Sequence, residues 1–161
     1  MKKTVLAFAL LIAGAAFAGV GKGLHAPEFS LPSLSGSTMA LSSLRGKVVL
    51  IDFWAQWCEP CKKELPQLDK LSKEYAGKGV VIVAVNIDKQ RENAERMVKQ
   101  LGVSLPVLLD PAGSVAGSYD LPKMPTSFVV DKKGIVRYVN EGFDGPKDVD
   151  RFKQELDELT K

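Results

Sequence analysis

The chain's two cysteines, Cys58 and Cys61, lie in FWAQWCEPCKKELP, Phe53 to Pro66, with Glu59 and Pro60 between them. A pair at this spacing admits disulfide exchange, half of a thiolate metal site, or a short structural staple. The choice turns on whether one sulfur is easily ionised, since a free thiol titrates near about 8.5 and only the thiolate is a nucleophile. Unpaired N–H groups at a helix N-terminus stabilise an anion held there. Cys58 is placed to receive that help, because a β-branched run ends shortly before it and a helical pattern begins after it. Cys61 follows one turn later and faces Cys58 from inside the helix, better shielded. The geometry therefore predicts Cys58 as the sulfur that attacks or is attacked, and Cys61 as the thiol that resolves the mixed disulfide.

The neighbours modify this chemistry. Glu59 opposes ionisation of both thiols by like-charge repulsion, while Lys62 and Lys63 pull weakly the other way. With no histidine near the motif, a strongly oxidising pair is not expected. Pro60 has no N–H to leave unpaired and suits the first helical turn; Pro66 falls inside the helix, where it removes a backbone hydrogen bond and bends it. Asp52, on the apolar strand before the motif, and Glu64, one turn beyond Cys61, are the candidate proton acceptors for Cys61. Desolvation on so apolar a strand raises a carboxyl pKa and suits Asp52 to proton exchange near neutral pH. Trp57 offers flat apolar contact to a substrate chain, whereas Trp54 suits core packing equally well. His25, the sole histidine, is remote in sequence and is assigned no chemistry.

These residues need a scaffold. KVVLIDF, Lys47 to Phe53, reads as a strand covered on both faces. Leu65, Leu68, Leu71 and Tyr75 then recur at helical spacing, with Gly77 and Gly79 ending the helix. Val80 to Ile87 is a second buried strand, and Asp88 is a plausible cap for a helix with Ala94, Met97, Val98 and Leu101 on one stripe. SLPVLLD predicts a strand, Ala112 to Tyr119 a brief helix, and TSFVVDKKGIVRYVNEG two strands turned at Asp131 to Gly134. Pro146 opens a last helix with Val149, Phe152, Leu156 and Leu159 inward. Upstream, the Gly-, Pro- and Ser-rich stretch from Gly19 to Gly46 predicts a short strand pair turning near Ser35 to Ser37. The sum is a mixed central sheet with helices on both faces.

The first residues, Met1, Lys2 and Lys3, precede an apolar run from Val5 to Ala18 that ends in small residues. This is the layout of a secretory signal peptide, too short to favour a membrane span, with cleavage expected after Ala18 and a retained anchor as the alternative. Gly19 to Lys161 then forms one domain, whose core needs no disulfide framework at 45% hydrophobic residues. The net charge of +3, part of it in Lys2 and Lys3, comes without a basic tract, which argues against nucleic acid as a partner.

DFWAQWCEPCK, with Pro66 after it, resembles the active-site segment of thioredoxin, and MPTSFVVDKKG resembles the loop in which thioredoxins carry a cis-proline. HAPEFSLPSLSG, LSSLRGKVVLIDFWA and the extra helix and strand between Val85 and Pro122 are similar to the TlpA/ResA-like branch of that fold, exported and AhpC/TSA-related. The resemblance covers nearly all of the chain beyond Ala18. It implies a thioredoxin-like α/β fold with an inserted helix-strand unit, Cys58 as nucleophile, Cys61 as resolving thiol, Asp52 as buried carboxylate and Pro125, after Met124, as a cis-proline facing the disulfide. Met124, Pro125, Trp57, Glu59 and Pro60 are accordingly the expected substrate-contacting residues. Glu59 and Glu64 match the branch's CEPC-x-x-E pattern, in which the second Glu tunes the cysteines. One departure stands out: thioredoxin pairs its buried Asp with a lysine, and the aligned position here is Ala84.

The resulting expectation is an exported, periplasmic thiol-disulfide oxidoreductase, monomeric and without cofactor, reducing protein disulfides such as those met in cytochrome c maturation and fed by a membrane electron donor. A thiolate Cu(I)-binding module is the alternative, since one CxxC supplies only half of a four-ligand zinc site. Peroxidase chemistry is disfavoured because WAQWC lacks the threonine that peroxiredoxins place before the attacking cysteine.

Overall fold

A computed structural model describes residues 20–161, so the expected signal peptide, residues 1–18, lies outside the described residues. The first elements are β1 (Ser30–Pro32) and β2 (Thr38–Ala40), an antiparallel hairpin turned at the expected serines. A 3-10 turn, Leu41–Leu44, leads into β3 (Val48–Trp54), every residue of which is buried. That burial is what a continuous apolar run demands: neither face can meet water. β4 (Val80–Asn86), β5 (Val107–Leu109), β6 (Thr126–Val130) and β7 (Val136–Glu141) complete a five-stranded sheet in the order β5-β4-β3-β6-β7. β3 is central, parallel to β4 and antiparallel to β6, which makes the sheet mixed, as the sequence predicts.

The two faces are covered unequally. Side chains alternate along β3, so Val48, Leu50 and Trp54 point to one face and Val49, Ile51 and Phe53 to the other. The first face packs against α1 (Glu59–Glu74), α2 (Arg91–Leu101) and α4 (Pro146–Thr160) through Leu65, Leu68, Met97, Phe152 and Leu156. The second is covered by the 3-10 turn, the short α3 (Ser114–Ser118) and the N-terminal segment. There Phe53, Tyr119 and Phe128 form an aromatic cluster with ring centroids 4.9 to 6.0 Å apart. The inserted unit is α2, β5 and α3, and the hairpin is tied to it by the Leu34 N–H donating to Val107 O at 2.9 Å.

One local reading is overturned. Asp88 does not cap α2; Gln90 occupies that position, without a side-chain hydrogen bond. Asp88 is buried and turned toward the segment before Cys58.

Candidate active site

β3 ends at Trp54, three residues turn the chain, and Cys58 stands at the N-cap of α1 with extended backbone. Pro60 fits the first turn because its missing N–H has no partner to lose there. Cys58 and Cys61 form a disulfide with Cα atoms 5.4 Å apart. The Cys61 N–H donates to Cys58 Sγ at 3.3 Å, so the first sulfur sits where helix-end amides converge. Cys58 keeps 4% of its surface and Cys61 none. The order of shielding agrees with the sequence argument, but Cys58 itself is far less open than a helix start suggests, because the junction is at the end of the fully buried central strand. Trp57, 65% exposed, is the prominent apolar group beside it. Glu59 is paired with Lys62, Nζ to Oε2 2.5 Å, and is largely solvated while Lys62 is partly covered, so its repulsion of the thiols is weakened by pairing and screening.

Two buried carboxyl groups lie on the elements that flank the CxxC turn, Asp52 on β3 and Glu64 on α1. Asp52 is 0% and Glu64 1% exposed. Burial, and then the neighbouring Glu64, hold the Asp52 carboxyl well above the usual range. Burial, then Asp148, push Glu64 up to about 8, with Arg151 acting in the opposite direction. Neither Asp52 oxygen, nor Glu64 Oε2, has a hydrogen-bond partner among the described residues. Ala84 stands opposite Asp52 on β4, as the resemblance predicts, and brings it no cation.

A stability prediction follows from Glu64. The unfolded carboxyl ionises near its ordinary 4.5 while the folded one keeps its proton to about 8. In that window the native state binds more protons, so stability falls as pH rises, by up to about 1.4 kcal/mol per pH unit for each such group. Urea midpoints of the oxidised protein should therefore decline from pH 5 to pH 8, and Glu64→Gln should flatten the decline. Parallel pH profiles for the two proteins would contradict it.

The Met124–Pro125 peptide is cis. Its loop is pinned by Thr126 Oγ1 donating to Lys123 O at 2.8 Å and by the Gly142 N–H donating to Pro125 O at 2.8 Å. Thr126 pairs with Phe53, so this loop and the CxxC share one end of the sheet, and Met124 packs against the cluster that contains both cysteines. Between α1 and the start of α4 a groove of 310 Å³ is lined by Lys63, Gln67, Phe143, Pro146, Val149 and Asp150. Trp54 is fully buried core. His25 bridges to Ile135 and takes no part in the site. Among the described residues no group of three or more His, Cys, Asp or Glu is arranged to hold a metal ion.

Two supporting residues escape the sequence argument. Asp88 Oδ2 accepts from the Gln56 N–H and from Asn86 Nδ2, each at 2.8 Å, and so fixes the turn that presents Cys58. Asp69 Oδ1 accepts from the N–H groups of Ser104 and Leu105 at 2.7 and 2.8 Å, tying α1 to the segment before β5. Those bonds and Lys73 outweigh burial and lower the Asp69 pKa. The only signal for Asp88 was its place at the C-terminal end of a parallel strand, where site loops gather.

A mixed sheet with a CxxC at the N-cap of the helix after its central strand, and a cis-proline loop at the same end, defines a thioredoxin-fold protein of the thiol-disulfide oxidoreductase class. The chain belongs to the AhpC/TSA family, whose model matches residues 22–139. It is 38% identical over 141 residues to the thiol-disulfide oxidoreductase ResA of Bacillus subtilis, covering 86% of this chain and 79% of that protein. It is 37% identical over 143 residues to the thioredoxin-like protein YneN of the same organism, covering 86% and 82%. A DsbE-like thiol:disulfide interchange protein from Chlorobium tepidum superimposes with a TM-score of 0.84 at 35% identity, over 89% of this chain and 100% of that one.

Proposed function

We propose that this thiol-disulfide oxidoreductase is exported, with residues 1–18 removed as a signal peptide and residues 19–161 acting as one monomeric domain, and that it works as a reductant of protein disulfides. Cys58 attacks the substrate disulfide, Cys61 resolves the adduct, and Asp52, its charge disfavoured by Glu64, takes the Cys61 proton. Trp57, Glu59, Pro60, Met124 and Pro125 receive the substrate chain, and the groove at Lys63 and Phe143 extends that surface. Disulfides of the kind handled in cytochrome c maturation are the substrate class, and a membrane dithiol protein supplies the electrons.

The observation that carries the direction is the modest support given to the Cys58 anion. A strong oxidant owes its potential to a stabilised reduced form. Here the helix end helps Cys58, but the nearest cation in sequence, Lys62, is engaged by Glu59, and the Asp52 and Glu64 carboxyls, raised by burial, bring no positive charge. The reduced pair therefore gains little, and the disulfide is not driven to open. Equilibration with glutathione tests this: a potential below about −200 mV is expected, whereas one near the −120 mV or so of dedicated disulfide donors would exclude a reductant.

A further inference from the structure

A row of polar side chains crosses the sheet from β3 to β7. Pairing sets Asp52 on β3 opposite Ser127 on β6, and Ser127 opposite Asn140 on β7. Opposed residues on neighbouring antiparallel strands share a face, their Cβ atoms roughly 4.5–5.5 Å apart. Asn140 Nδ2 then donates to Glu155 Oε2 on α4 at 2.8 Å, which anchors the far end of the row. On its other side Asp52 meets only Ala84. Ser127 is 1% exposed and its hydroxyl, like both Asp52 oxygens, has no hydrogen-bond partner among the described residues. Buried polar groups in native proteins are paired in nearly every case. A hydroxyl can rotate to donate or accept, and the one acceptor opposite Ser127 whose charge changes during the reaction is Asp52.

We propose that Ser127 is the positioning residue for Asp52, donating its hydroxyl to the Asp52 carboxylate whenever that carboxylate is ionised. This deepens the reading of Asp52 as the proton acceptor and rests on it for its catalytic consequence. In resolution, the Cys61 thiol gives its proton to the Asp52 carboxylate and its sulfur attacks Cys58 of the mixed disulfide. The Cys58–substrate S–S bond breaks, the Cys58–Cys61 bond forms, and the substrate leaves as a thiolate. Ser127 favours the ionised Asp52 that this step consumes. The other groups bearing on Asp52 do not supply that bond: Glu64 on α1 disfavours its ionisation, Asp148 and Arg151 on α4 act on Glu64, and Glu155 is engaged by Asn140. β4, β6 and β7 place no titratable side chain opposite it in the row.

The test is a carboxyl carbon-13 NMR titration of Asp52 in the reduced full-length domain, read beside the pH dependence of mixed-disulfide resolution. Ser127→Ala should raise the Asp52 titration by about one pH unit and slow resolution near neutral pH by about threefold to tenfold, the loss of one hydrogen bond to a charged group. Ser127→Thr should restore both, and Ser127→Val, equal to Thr in shape, should not; this pair isolates the hydroxyl even if alanine loosens the strand. An Asp52 titration unmoved in Ser127→Ala and Ser127→Val overturns the assignment. A moved titration with unchanged resolution upholds the Ser127 bond and refutes Asp52 as proton acceptor, so the two failures are told apart.

Discussion

Cys61→Ser is expected to arrest the protein as a covalent adduct, with substrate held on Cys58 and multiple turnover reduced by at least about 10³-fold, because an external thiol must replace an intramolecular one of very high effective concentration. The expectation rests on the asymmetry of the pair. Cys58 caps α1, keeps the only solvent contact of the two, and has the Cys61 N–H aimed at its sulfur. Cys61 is fully buried within the helix and bonded to Cys58. Mass spectrometry of non-reduced adducts checks the outcome directly: the disulfide to substrate should map to Cys58. Equal trapping by Cys58→Ser on Cys61 would show that the burial difference has no bearing on which sulfur reacts.

Asp52→Asn should slow resolution at pH 7 by about 10- to 100-fold, toward the lower end of what positioned proton transfer contributes. It should also remove the rise in rate with pH that accompanies ionisation of a carboxyl held well above its usual range. The sign for stability is opposite to that for activity. Between the ordinary carboxyl range and its raised folded value, Asp52 keeps a proton that the unfolded chain has lost, so the wild type loses stability as pH rises. Asparagine cannot ionise, and the variant should gain stability relative to wild type across that window. A site that is slower but more stable when its acid is neutralised is the signature of a group kept for chemistry at a cost in folding. Unchanged resolution kinetics, with stability raised, would assign Asp52 a cost and no role.

The same division runs through what was legible in the sequence. β3, α1, α4 and the CxxC at the strand-to-helix junction follow from patterns only a few residues long: a β-branched run, a helical apolar stripe, a proline in a first turn. Ala84 opposite Asp52 followed from the resemblance to thioredoxin, whose lysine position aligns with it. The Asp88 cap failed for an instructive reason. A carboxylate just before a helix has a local partner in view, and the amide it binds instead, that of Gln56, lies 32 residues away.

By itself, the sequence determined that two thiols stand at a helix start after a buried strand, because that is a local matter of backbone preference and hydrophobic period, while the acid behind them and the proline loop came from the resemblance to thioredoxin. Only the tertiary structure decided that Glu64 is buried rather than solvated, that Asp88 holds the turn before Cys58, and that Ser127 faces Asp52. Helical spacing does not say which neighbour covers a face, and antiparallel pairing of β3 with β6 joins residues 75 apart at Asp52 and Ser127. Such pairings are fixed by the closing of the sheet and the packing of α4 upon it, energies that no short stretch of chain contains.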